Sequence, residues 1–205
     1  MSRVLVIDYG VGNIDSIRRA LEECGASVLV GREPHDFDVC THAVLPGVGA
    51  FGAAMDVLED YDLPNMIESR LVKTGIPVLG ICLGMQLLAA VGYEGGERAG
   101  LGLIPASVEK LDTSQTQERL PHIGWNEVMH DGRSPFLADI ASGTDFYFVH
   151  SYAMKCDDPQ DVVGTSPYCG EFVSVVNRGS VWGTQFHPEK SQVAGQLIFR
   201  NFLET

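Results

Sequence analysis

Apolar residues along this chain come in short blocks whose spacing changes as the sequence proceeds. RVLVID (Arg3–Asp8) is a β-branched run of strand length. Helical spacing follows, with Ile14, Ile17, Leu21 and Cys24 on one face and Gly25 placed to end the helix. ASVLV (26–30) and THAVLPG (41–47) predict two further strands. Phe51 to Val72 predicts two short helices broken at Leu63-Pro64. IPVLGIC (76–82) predicts a fully apolar strand, and LGMQLLAA (83–90) a helix straight after it. Strands apolar on both faces, alternating with helices, imply a parallel sheet covered on both sides.

The pattern changes after residue 91. GYEGGERAGLGLIP is glycine-rich and reads as loop. Short β-like pieces then follow: SVEKL, NEVM, DFYFVHSYAM, DVVGTS and EFVSVVNRG. They predict a mixed or antiparallel extension of the same domain, because no polar linker separates the halves. SVWGTQF predicts a late strand and VAGQLIFRNFLE a closing helix. The expectation is one α/β domain over residues 1–205, with a mostly parallel central sheet and a smaller β extension.

Composition narrows the functions. The 205 residues carry 27 acids and 14 bases, a net charge of −13. That field repels nucleic acid, and no basic cluster overrides it. It suits small neutral or zwitterionic substrates and protein partners with basic patches. No apolar run approaches the roughly 20 residues of a membrane helix. The first strand begins at the N-terminus, so a cytoplasmic protein without a targeting segment is expected. Five scattered cysteines, none in a CxxC, argue against a disulfide framework. His35, Cys40 and His42 do not have zinc-site spacing, so neither a metal nor a cofactor is expected.

Four segments carry candidate chemistry. DYGVGNID places Gly10 and Gly12 in a strand-to-helix turn, but Asp15 stands where a dinucleotide fingerprint needs its third glycine. A tight turn with Asn13 placed to cap the helix is the simpler reading. GICLG (80–84) has the G-x-nucleophile-x-G pattern of a strained elbow, with sulfur in place of oxygen. The following helix would set its first amides near Cys82, and Leu83 N–H is a natural oxyanion donor. On this motif alone Cys82 reads equally well as a buried core cysteine. GTQFHPEKS supplies a base: His187 precedes a proline, which favours extended backbone, and residues i and i+2 of extended chain share a side. Glu189 can then orient His187. LPGVGAFG offers a second oxyanion donor at Val48 or Gly49, although a plain glycine-rich turn explains it as well.

Taken together, PGVG, GICLGMQ, FVHSY and QFHPEK resemble the class-I (triad) glutamine amidotransferases. DYGVGNI and LPHIGWN (120–126) narrow the resemblance to the glutaminase subunits of imidazole glycerol phosphate synthase. The resemblance implies a flavodoxin-like three-layer α/β/α fold, L-glutamine as substrate, and a heterodimer with a (βα)8-barrel cyclase that consumes the ammonia. It makes Cys82 the nucleophile, His187 the base and Glu189 its orienter. Gln86, Ser151 and Tyr152 would contact glutamine, with Gly47, Val48, Gly49 and Leu83 around the oxyanion. Gly10, Asn13, Trp125 and Lys190 match positions that face the cyclase. Three other readings compete: an ammonia supplier for sugar amidation in surface-polysaccharide synthesis, a γ-glutamyl hydrolase, and a non-catalytic binding module.

Overall fold

The computed structural model describes residues 2–205. Its main sheet holds five parallel strands: β1 (Arg3–Ile7), β2 (Ser27–Gly31), β3 (His42–Leu45), β4 (Val78–Ile81) and β13 (Val181–Thr184). β11 (Val162–Ser166) and β12 (Phe172–Arg178) add an antiparallel edge, giving the order β11-β12-β13-β4-β3-β1-β2. Alternation along each strand builds two cores. Leu5 and Ile7 face one side with Leu45, while Val4 and Val6 face the other with Val44. α1 (Ile14–Glu23) and α6 (Gln192–Leu203) cover the second side through Ile17, Leu21, Ile198, Phe199 and Phe202. α2 (Pro34–Val39), α3 (Phe51–Asp60), α4 (Leu63–Met66) and α5 (Leu83–Leu87) cover the first. Each such buried side chain contributes about 1.5–3 kcal/mol, so two full faces hold the layers together. The result is the three-layer α/β/α arrangement expected.

Four details differ from the expectation. The break after α3 falls at Asp62, which takes a left-handed φ of 55°. Pro64 sits inside the first turn of α4, where its missing N–H costs no helical bond. LGMQLLAA is not one helix. α5 ends at Leu87, and β5 (Ala89–Gly92) follows at once. A short apolar run fits a buried helix or strand equally well, and here the backbone of residues 100–104 takes the carbonyls of Leu87, Leu88, Ala89 and Ala90. β5 lies with β6 (Arg98–Ala99), β7 (Ile104–Lys110) and β10 (Tyr152–Cys156) in a four-stranded sheet ordered β10-β7-β5-β6.

DFYFVHSYAM is two strands that part at Ser151. β9 (Thr144–His150) pairs antiparallel with β8 (His122–Val128), whereas β10 pairs with β7. Finally, DVVGTS and EFVSVVNRG form the edge of the main sheet rather than a separate extension. No helix among the described residues is long and apolar enough to cross a membrane.

Candidate active site

Strand order assembles the site. β4 lies between β3 and β13, so the chain leaving the C-terminal ends of these three strands converges at one rim. Open α/β sheets bind ligands at such rims. β3 delivers Pro46–Gly49, β4 delivers Cys82, and β13 delivers Gln185–Glu189.

Cys82 occupies the strained elbow, with φ 54° and ψ −109°. A non-glycine residue there costs about 1–3 kcal/mol. Its N–H donates to Thr184 O at 2.7 Å, and its carbonyl accepts from Gln86 N at 3.2 Å, which offsets part of that cost. The flanking glycines are required by space. A Cβ on Gly80 would stand 2.6 Å from Gly84 O, and one on Gly84 would collide with Leu45 O. α5 is only five residues long, so it offers the sulfur local N-terminal amides more than an extended dipole.

His187 and Glu189 pair as expected, but through a tight turn: His187 is extended, and Pro188–Lys190 forms one 3-10 turn that carries Glu189 back to it instead of continuing extended chain. His187 Nδ1 lies 2.8 Å from Glu189 Oε1, and both side chains are buried. Three bonds pin the His187 backbone: its N–H donates to Tyr147 O at 2.9 Å, and its carbonyl accepts from Ser191 Oγ at 2.7 Å and from Lys190 N at 3.0 Å. Nε2 has no hydrogen bond of normal geometry and is buried. Burial acts to lower the imidazole pKa, but the adjoining Cys82 sulfur and the Glu189 carboxylate outweigh it and raise it to about 9.

A cleft of about 360 Å³ opens over Cys82 and His187. Val48, Gly49, Leu83, Gln86, Ser151 and Tyr152 line it as expected. Gly47 sits behind the lining, where a Cβ would come within 2.7 Å of Gly84 N and 2.9 Å of Leu83 Cβ. Tyr9 anchors this loop by donating its hydroxyl to Pro46 O at 2.7 Å; burial, then the nearby Cys82, raises its pKa. Sequence reasoning missed Glu94, Pro121, Val149 and His150 in the lining. Glu94 comes from the glycine-rich loop, and its Oε2 accepts from Phe51 N at 2.8 Å. Nothing local in the sequence singles it out. His150 stands inside FVHSY, where it reads as strand packing.

Gln86 is buried, and its Nε2 donates to Tyr152 O at 2.8 Å and to Gln185 Oε1 at 3.0 Å. Both amide hydrogens are thus used within the protein, and Oε1 is left for the cleft. His150 is also buried; burial and the neighbouring His122 and His187 lower its pKa to about 3 against a hydrogen bond to Tyr152 O that favours the charged form.

The remaining expected positions lie outside the cleft. Gly10, with φ 84°, and Asn13 belong to the turn after β1. Asn13 holds the N-cap position of α1, but its side chain makes no capping bond. Gly12 packs on this rim, where a Cβ would lie 3.0 Å from Pro46 Cβ. Trp125 is 48% exposed on β8 and meets Tyr147 edge-on at 6.1 Å. Lys190 Nζ lies 5.5 Å from the centre of the same Tyr147 ring, so Trp125 and Lys190 flank one surface aromatic. The five cysteines are free, and among the described residues no three His, Cys, Asp or Glu side chains group as a metal set.

A profile described as glutamine amidotransferase class-I matches residues 5–205. The chain is 44% identical to "Imidazole glycerol phosphate synthase subunit HisH 1" of Prochlorococcus marinus, covering 98% of this chain and 96% of that one. It is 41% identical to "Imidazole glycerol phosphate synthase subunit HisH 2" of Nitrobacter winogradskyi, covering 100% and 99%. Among solved structures, one described as glutamine amidotransferase superposes with a TM-score of 0.75 at 18% identity, covering 98% of this chain and 97% of that one. At that identity the likeness speaks for the fold.

Proposed function

The chain belongs to the class-I glutamine amidotransferases, and from that premise we propose that it is the glutaminase subunit of an imidazole glycerol phosphate synthase. The observation that carries the chemistry is the meeting of Cys82, on its positive-φ elbow, with a buried His187 held by Glu189 in one cleft. The near full-length relatives named as synthase subunits support the pathway over polysaccharide amidation or γ-glutamyl hydrolysis.

Cys82 attacks the side-chain amide carbon of L-glutamine as thiolate. The C=O electron pair moves to oxygen, where Leu83 N–H and the Val48–Gly49 backbone are the proposed donors. The His187 imidazolium gives its proton to the nitrogen as the C–N bond breaks, releasing ammonia and leaving a γ-glutamyl thioester. Water, deprotonated by His187, then attacks the thioester and frees glutamate and the thiolate. A raised His187 pKa suits this cycle, because the imidazolium is present at neutral pH when the leaving group needs its proton.

The zwitterionic end of glutamine needs charge complements. Glu94 and the free Gln86 Oε1 provide acceptors for the α-ammonium, while Ser151 and Tyr152 border the cleft beside them. Glu94→Gln should raise KM for glutamine about 10- to 100-fold, the worth of one charge-assisted bond, and change kcat less. Steady-state kinetics would separate the two, and a loss confined to kcat would count against this placement.

The ammonia passes to a (βα)8-barrel cyclase partner, because in bulk water at neutral pH it would be protonated. Gly10, Asn13, Trp125 and Lys190 form the surface proposed for that contact. The decisive experiment measures glutamate release with and without the cyclase and its ribulosyl nucleotide. Strong stimulation is expected. High activity of the isolated chain, unchanged by the partner, would sink the coupling. Cys82→Ala should abolish glutamine-dependent synthesis and spare ammonia-dependent synthesis, and loss of both would make Cys82 structural.

A further inference from the structure

Gln185 is fully buried two residues before His187. Its carboxamide orientation follows from a backbone group that cannot change roles. The Tyr152 carbonyl only accepts, so the Gln86 amide turns its nitrogen toward it at 2.8 Å. That nitrogen also faces Gln185 at 3.0 Å, so the Gln185 atom there is its oxygen. The Gln185 nitrogen is then the atom directed at Cys82 Sγ, at 3.7 Å. The backbone holds it there, with Gln185 N–H donating to Ser174 O at 2.9 Å.

Besides the His187 imidazole, the sulfur also has Val149 O as a polar neighbour, at 3.7 Å. A carbonyl favours the thiol, which can donate to it, and disfavours the thiolate. The Gln185 N–H does the opposite. We propose that Gln185 is a further catalytic residue of this site: it donates to the Cys82 thiolate, and its oxygen locks Gln86 with the Gln86 carbonyl facing the substrate. The proposal rests on the reading of Cys82 as nucleophile. One buried side chain thereby links sulfur reactivity to glutamine affinity, and the two should change together when it is altered.

The test follows alkylation of Cys82 by iodoacetamide against pH, and the glutamine concentration that halves the rate. Gln185→Met keeps the length and removes both bonds. Its alkylation midpoint should rise by roughly one pH unit, and protection should need about 10-fold more glutamine. Gln185→Glu, which puts an acceptor where the donor was, should shift the midpoint further. Wild-type midpoints and protection in both folded variants would overturn the proposal. If wild-type Cys82 is not alkylated, or glutamine does not protect it, the nucleophile reading fails instead. A measurement on the unaltered chain is independent of how the variants fold. The Gln185 side-chain amide protons should move downfield with the midpoint of Cys82 deprotonation, and resonances that stay still through it would also overturn the proposal.

Discussion

His187 shows how one side chain can be set by opposing forces of comparable size. Burial alone would hold it neutral, and only the sulfur and carboxylate beside it keep it charged to about pH 9. Cys82→Ser should therefore bring its titration down, which ring-proton NMR across pH 5–10 would read directly. The same shift predicts a stability profile. The folded pKa of about 9 lies above the ordinary 6.5, so the contribution is complete below about pH 6.5 and lost as pH rises through 9. Urea midpoints should decline over that interval in the wild type and decline less in Cys82→Ser. The His187–Glu189 pair was legible in the sequence because its geometry is local. Gln185 was within reach too, since it stands two residues before His187 in the same short segment that leaves β13. Glu94 was not, because its place depends on a bond to Phe51, far away in the chain.

At the level of elements, the elbow depends on what its glycines leave out. Gly84→Ala drives a methyl into the Leu45 carbonyl, a backbone atom that cannot rotate away. A loss of about 1–3 kcal/mol or more is expected. Gly52→Ala, in α3 with open space around it, should instead stabilise by about 0.5–1 kcal/mol. Chemical denaturation of both variants would test the contrast, and equal effects would mean that crowding at the elbow is overstated. The alternation of the first half was readable because each strand and helix carries its own period. The LGMQLLAA and DFYFVHSYAM segments were not. Each is apolar throughout or nearly so, and its division is made by partners: residues 100–104 in one case, and two different strands, β8 and β7, in the other. The fold class thus follows from local patterning, while the second half is decided by pairing between distant segments.

Across the whole molecule, a chain of neutral histidines joins the cleft to the surface. His150 Nδ1 donates to Tyr152 O at 2.9 Å, which leaves its Nε2 to accept from His122 Nδ1 at 3.0 Å. His122 Nε2 in turn faces the Asn126 amide at 3.3 Å. This order holds only while both rings are uncharged. His150 titrates near pH 3 when folded, against 6.5 for an ordinary histidine, so the unfolded chain takes up its proton first. Stability should fall as pH drops from about 6.5 toward 3, and His150→Gln should flatten that slope in urea unfolding. The parting of β9 from β10 at Ser151 has a mechanical consequence. The cleft wall at Ser151 and Tyr152, proposed to hold glutamine's far end, is a joint between two separate sheets, and β9 on one side of it also holds His187 through Tyr147 O. Compliance is therefore concentrated at that joint. A protein pressing on β8 should then move the Ser151–Tyr152 wall and, through Tyr147 O, the seat of His187 together.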